Sequence, residues 1–183
     1  MHSIQTNKTW DLVELLKNRR ALPCKWVYRL KETSDSTNPK YKARLVAKGF
    51  RQEYDVDFDE MFSQVVKMTT LRFMLGVVAP ENLELIQLYV KTTFLHSDLK
   101  EEIYMEKPKG FVASNQEHLV CRLWKSLYGL KQAPRQWYKK FDDFIQSVGF
   151  SKSVEDHCLF TKTTRDGSSI FLIIYVDDML LSG

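Results

Sequence analysis

Alternation of apolar and charged positions marks the first readable stretch of the chain. In CKWVYRLKE, Trp26, Tyr28 and Leu30 alternate with charged neighbours, as in a strand with one buried face. The turn formers of TSDSTNPK follow, and YKARLVAKGF alternates again. The pattern predicts a β-hairpin with a long polar tip and flanks lined by Lys and Arg. Upstream, TWDLVELLKNRR reads as helix or loop. Downstream, Leu71, Met74, Leu75 and Val78 recur at helical spacing, with Thr69 or Thr70 as cap and Pro80 and Asn82 as the stop. A strand over 83–90 then hands over to a short helix from about Thr92. EEIYMEKPKGF reads as a strand closed by a Pro and Gly turn, and HLVCRLWKSLYGL as another strand and turn. The strongest helix covers 134–148, where Trp137, Phe141, Phe144, Ile145 and Val148 share one face behind Pro134. HCLFTKTTRDGSSIFLIIYV is a hairpin turning at Asp166-Gly167. Only five residues follow Asp178, hardly enough for a return strand.

Composition narrows the class. A chain of 183 residues, 44% hydrophobic, can bury a real core and is not disordered. Its longest apolar run, near 170–176, is far too short to span a bilayer, and the polar N-terminus lacks the apolar segment of a signal peptide. Cys24, Cys121 and Cys158 are scattered without CxxC spacing, which fits reduced thiols inside a cell, in cytoplasm or nucleus. His157 beside Cys158 is the only His/Cys neighbour pair, and a packed cysteine is the better reading there.

Charge is uneven rather than large. The net charge is +4, yet 17–51 holds eleven Lys or Arg against two acids, and Glu53, Asp55, Asp57, Asp59 and Glu60 follow directly. A basic lobe suits a polyanion, and equally a solvated surface.

The candidate chemistry sits in FLIIYVDDMLLSG, where Asp177 and Asp178 interrupt two apolar runs. Paired acids suit a tight turn, because Asp caps its own backbone. They also suit a hard cation such as Mg²⁺, which would offset the cost of placing carboxylates beside a core. Spacing alone leaves both open.

YVDDM matches the Y-x-D-D box of reverse transcriptases, and the match extends along the chain. CKWVYRLK, YKARLVAKGFRQ, DFDEMFSQVVK, VKTTFLHSDLKEEIYMEKPKGF, KSLYGLKQAPRQWY and YVDDML stand in the order found in copia-type LTR-retrotransposon polymerases. The chain thus resembles a copia-type reverse transcriptase nearly end to end. The resemblance implies an α+β right-hand polymerase, an antiparallel sheet packed on helices. Fingers would occupy about 20–85 and palm about 83–183 with a further fingers segment, the chain being truncated before the thumb. It implies RNA-directed DNA polymerisation on an RNA or DNA template-primer with dNTPs, using two Mg²⁺ ions held by Asp177, Asp178 and a third aspartate. The integrase and RNase H regions of the polyprotein would be absent.

That third aspartate is where the chain departs. The family pattern QLDVKTAFLHGDL here reads QLYVKTTFLHSDL, so Tyr89 occupies the first catalytic position. A phenol keeps its proton to about pH 10 and offers one weak oxygen. Neither Asp98 nor Glu84 fits as a substitute. Ser97, Thr93, Gln64, Leu16 and Asn18 also replace family residues, as in a copy drifting without selection. By the same resemblance Phe94 takes the steric-gate place, and Thr92 and Thr93 present amides to the triphosphate. Arg44 and Lys42 would contact its phosphates, while Tyr128, Gly129 and Gln132 support template and incoming base. Trp137 and Phe141 read as helix core. The polymerase so implied is impaired; the alternatives are a non-catalytic nucleic-acid-binding remnant and a translated fossil that does not fold.

Overall fold

The computed structural model describes residues 2–31, 40–111 and 116–183. The predicted polar tip of the first hairpin, around 33–39, lies outside them. In chain order run α1 (His2–Thr6), β1 (Trp10–Glu14), β2 (Ala21–Leu22), β3 (Cys24–Lys31), β4 (Lys40–Ala47) and α2 (Met68–Val78). There follow β5 (Leu85–Tyr89), β6 (Asp98–Met105), β7 (Leu119–Lys125), α3 (Ala133–Ser147), β8 (Ser151–Lys152), β9 (Leu159–Thr163), β10 (Ser169–Tyr175) and β11 (Asp178–Ser182). The α+β class is observed, as sheets with few helices. The chain divides into two compact units, Met1–Met61 with Phe94–Gln136, and Phe62–Thr93 with Trp137–Gly183.

In the first unit β1, β7, β6 and β2 form a sheet in that order, and β3 pairs with β4 as a separate ribbon. β7 shows why the sheet forms: Cys121 and Leu123 point into the core, while Arg122 and Trp124 alternate outward and stack, 4.3 Å from guanidinium to ring. The core gathers Leu22, Leu45, Leu95, Ile103, Met105 and Leu127 around them. The expected helix or loop in TWDLVE is instead β1, paired from Trp10↔Leu123 to Glu14↔Leu119. Cross-strand partners decided that segment over its local pattern. The helix expected from Thr92 is a single 3₁₀ turn, Thr93–His96.

In the second unit the sheet order is β5-β11-β10-β9-β8. β10 carries the buried run Leu172, Ile173 and Ile174 of a central strand. Trp137, Phe141 and Ile145 of α3 are buried, four residues apart, and the Phe141 ring lies 5.7 Å from Phe160 of β9. Phe144 and Val148, expected on the same face, are exposed, so the buried stripe is narrower than predicted. β11 corrects another expectation. Its five residues are a full return strand, paired with β10 on one side and β5 on the other.

α2 lacks the threonine cap that its sequence suggested, since Lys67 is the N-cap and its side chain makes no capping bond. The capping oxygen comes from Asp156, whose Oδ2 accepts from the Lys67 N–H at 2.9 Å and the Thr70 hydroxyl at 2.6 Å. Its Oδ1 accepts from the Cys158 N–H at 2.9 Å. No helix among the described residues is long and apolar enough to cross a membrane.

Candidate functional site

In the second unit the acidic pair sits where β10 turns into β11. Tyr175 faces Asp178 across the hairpin, which leaves Val176 and Asp177 as a two-residue loop. Loops this short match the strand twist when their first residue has positive φ, a place usually held by glycine. Here Val176 holds it, at φ 56°. A β-branched residue in that region costs of order 1–3 kcal/mol. Trp137 Nε1 donates to the Val176 carbonyl at 2.6 Å, and the Val90 N–H donates to the Asp177 carbonyl at 2.9 Å. Asp177 and Asp178 are half-buried.

Tyr89 ends β5 directly opposite Asp178 in the β5–β11 register. Tyr89, where the resemblance implies an acid, and the acidic hairpin therefore meet across one pair of strands. Beyond β5, Thr92 is a second β-branched residue at positive φ (55°), and the Thr93 hydroxyl donates to the Val90 carbonyl at 2.9 Å. Glu84 precedes the far end of β5, and Asp98 belongs to the first unit, where it pairs with Lys125. Among the described residues no group of three His, Cys, Asp or Glu is placed to hold a metal. Cys158 is no ligand candidate either. Burial, with Asp156 beside it, pushes its thiol up to about 12.

In the first unit the aromatic and cationic candidates converge. Phe94 meets Tyr128 edge-on at 4.8 Å, and the Arg44 guanidinium lies over the same Tyr128 ring at 5.6 Å. The Tyr128 carbonyl accepts from the Ala47 N–H at 2.8 Å, which pins the loop to the end of β4. Gly129 makes that approach possible. At φ 92°, a Cβ there would stand 2.0 Å from the Ala47 carbonyl oxygen, and one on Gly49 would stand 1.8 Å from the Gly129 oxygen. Gln132 is fully buried, donating to the Asp57 carbonyl at 2.9 Å and accepting from Gln52 at 3.0 Å. Ser97 is likewise buried, its hydroxyl donating to the Phe94 carbonyl at 2.9 Å.

Lys42 lies on the β3–β4 ribbon beside Arg44. The register sets Arg29 against Lys42 and Val27 against Arg44, with Lys25 on the same face against Val46. Among the residues whose side chains are described, four cations thus share one side of a ribbon whose two strands contain no acid. The other side carries Trp26, half-buried, whose indole donates to the Lys109 carbonyl at 3.3 Å.

A family model described as reverse transcriptase (RNA-dependent DNA polymerase) matches residues 7–183. This chain belongs to the reverse transcriptase family. The retrovirus-related Pol polyprotein from transposon TNT 1-94 of Nicotiana tabacum is 55% identical to it over 183 residues, all of this chain and 14% of that protein. That from transposon RE1 of Arabidopsis thaliana is 41% identical over 178 residues, 97% of this chain and 12% of that protein. The Ty1-DR4 Gag-Pol polyprotein of Saccharomyces cerevisiae is 30% identical over 175 residues, 95% of this chain and 10% of that protein. This reverse transcriptase chain therefore spans about an eighth of the length of the plant relatives it matches. No solved structure matches it. The copia-type resemblance read from the six ordered motifs agrees with these relatives. Two features, one in each unit, had no clear signal in the sequence: the indole bond to Val176 and the Gly49–Gly129 contact. Both join segments far apart in the chain.

Proposed function

We propose that this reverse transcriptase chain is the fingers and palm of a copia-type RNA-directed DNA polymerase whose metal site lacks one carboxylate. Residues about 20–85 are read as mainly fingers, and about 83–183 as mainly palm with a further fingers segment. The observation that carries the proposal is the register pairing of Tyr89 with Asp178. In the family reading, that position supplies the acid that shares two Mg²⁺ ions with the hairpin. Magnesium takes hard oxygen ligands in near-octahedral geometry, and a neutral phenol is a poor replacement for a carboxylate. The donor set of Asp177, Asp178 and Tyr89 does not fit a metal pair, so no metal-dependent step is assigned to this chain. The nucleotide and template contacts of the reading follow from the resemblance, residue by residue. Arg44 and Lys42 offer cations, Phe94 and Tyr128 offer ring faces, and Thr92 and Thr93 offer backbone donors.

The test is a graft into a complete homologous polymerase, with Tyr89 and with Tyr89→Asp. The tyrosine graft should extend a primed template roughly a thousandfold more slowly than the aspartate graft. Equal, magnesium-dependent rates would sink the reading. A second reading, nucleic-acid binding without catalysis, is favoured by the four cations on one side of the β3–β4 ribbon. It predicts salt-sensitive duplex binding by the unmodified chain and no primer extension.

A further inference from the structure

The acidic loop holds a conformation that its own residue disfavours, so something outside it must keep it there. Val176 sits at φ 56°, and its two flanking β-strands fix only where the loop begins and ends. The bond to its carbonyl comes from the indole of Trp137, 7% exposed, on α3. That indole has little freedom. Its ring lies 5.9 Å from Phe141, which is in turn 5.7 Å from Phe160 on β9. The next carbonyl, that of Asp177, is taken by the Val90 N–H beyond β5. Two successive loop carbonyls are thus held by two different elements.

We infer that Trp137 is a positioning residue, whose indole N–H holds the left-handed Val176 turn and so sets the direction in which Asp177 and Asp178 are presented. Core packing explains why the ring is buried, but not why its single donor is spent on the strained residue. The inference rests on the polymerase reading only for what the two carboxylates serve; the holding itself is independent of it.

Hydrogen exchange on the 183-residue chain tests the inference at three N–H groups. These are the Trp137 indole, the Val90 amide bonded to Asp177, and the Thr164 amide, which is bonded to the Ser168 carbonyl at 2.9 Å at the opposite end of β10. The indole should be protected at least tenfold over free tryptophan. Trp137→Phe keeps an aromatic ring and removes the donor. It should speed exchange at Val90 roughly tenfold more than at Thr164. Equal acceleration at both amides, or none at Val90, would overturn the assignment. If that variant does not fold, the unmodified chain decides: an indole exchanging at the free rate overturns the assignment, and a protected one supports it. Equal extension rates from the tyrosine and aspartate grafts would count against the polymerase reading and leave this result standing.

Discussion

A few side chains carry most of what is unusual here, and Val176 is the clearest. Its left-handed backbone is a cost that glycine would not incur. Val176→Gly should therefore stabilise the chain by about 1 kcal/mol, raising Tm by about 2–4 °C in thermal denaturation. A fall in Tm would show that the valine side chain contributes more than its backbone costs. Gly129 is the opposite case. An added methyl would meet the Ala47 carbonyl at 2.0 Å, so β4 or the loop must shift. Gly129→Ala should cost about 3 kcal/mol, whereas Gly110→Ala, at φ 85° with open space around it, should cost about 1 kcal/mol. Denaturant midpoints of the two variants give the comparison. Equal losses would mean that close approach adds nothing to backbone strain.

At the level of elements, Asp156 connects the start of α2 to the loop before β9. Burial alone would raise its pKa, but bonds from Thr70, the Lys67 N–H and the Cys158 N–H, with the Lys67 charge, hold it below the usual carboxylate range. A carboxyl depressed in the folded state stabilises above its unfolded pKa, about 3.9, and that stabilisation drains away as pH falls through the folded value. Stability of the chain should therefore decline below about pH 4, and Asp156→Asn should flatten that part of the profile. An unchanged acid limb in the variant would show that other groups govern it. The same residue marks how far the sequence could be read. The apolar spacing located α2, but its threonines suggested a local cap, and the actual acceptor lies over eighty residues away. β1 was missed for a similar reason: WDLVE becomes a strand because β7 is there to pair with it. The turn between the two apolar runs was legible because its residues are contiguous, although the five residues after Asp178 looked too few for the return strand β11. The exposure of Phe144 was not, since helical periodicity gives a face but not how wide the neighbouring sheet covers it.

For the whole molecule, the modest net charge conceals the β3–β4 ribbon, where Lys25, Arg29, Lys42 and Arg44 share one side. Each phosphate neutralised by such a cation releases counterions, so binding should weaken steeply with salt. Reversing Arg29 and Lys42 to Glu should weaken duplex binding and lower the log–log salt slope by about 2, measured by fluorescence anisotropy. An unaltered slope would place the binding surface elsewhere. The six motifs made this family legible along the whole chain, while the alignment of cations across the ribbon emerges only once its register is known. Arg29 facing Lys42 also means that the two strands push each other apart at the rung where they must meet. A polyanion lying along that side would offset the repulsion between the facing cations. Melting point and occupancy would then rise together, so that the surface is steadied by what it receives.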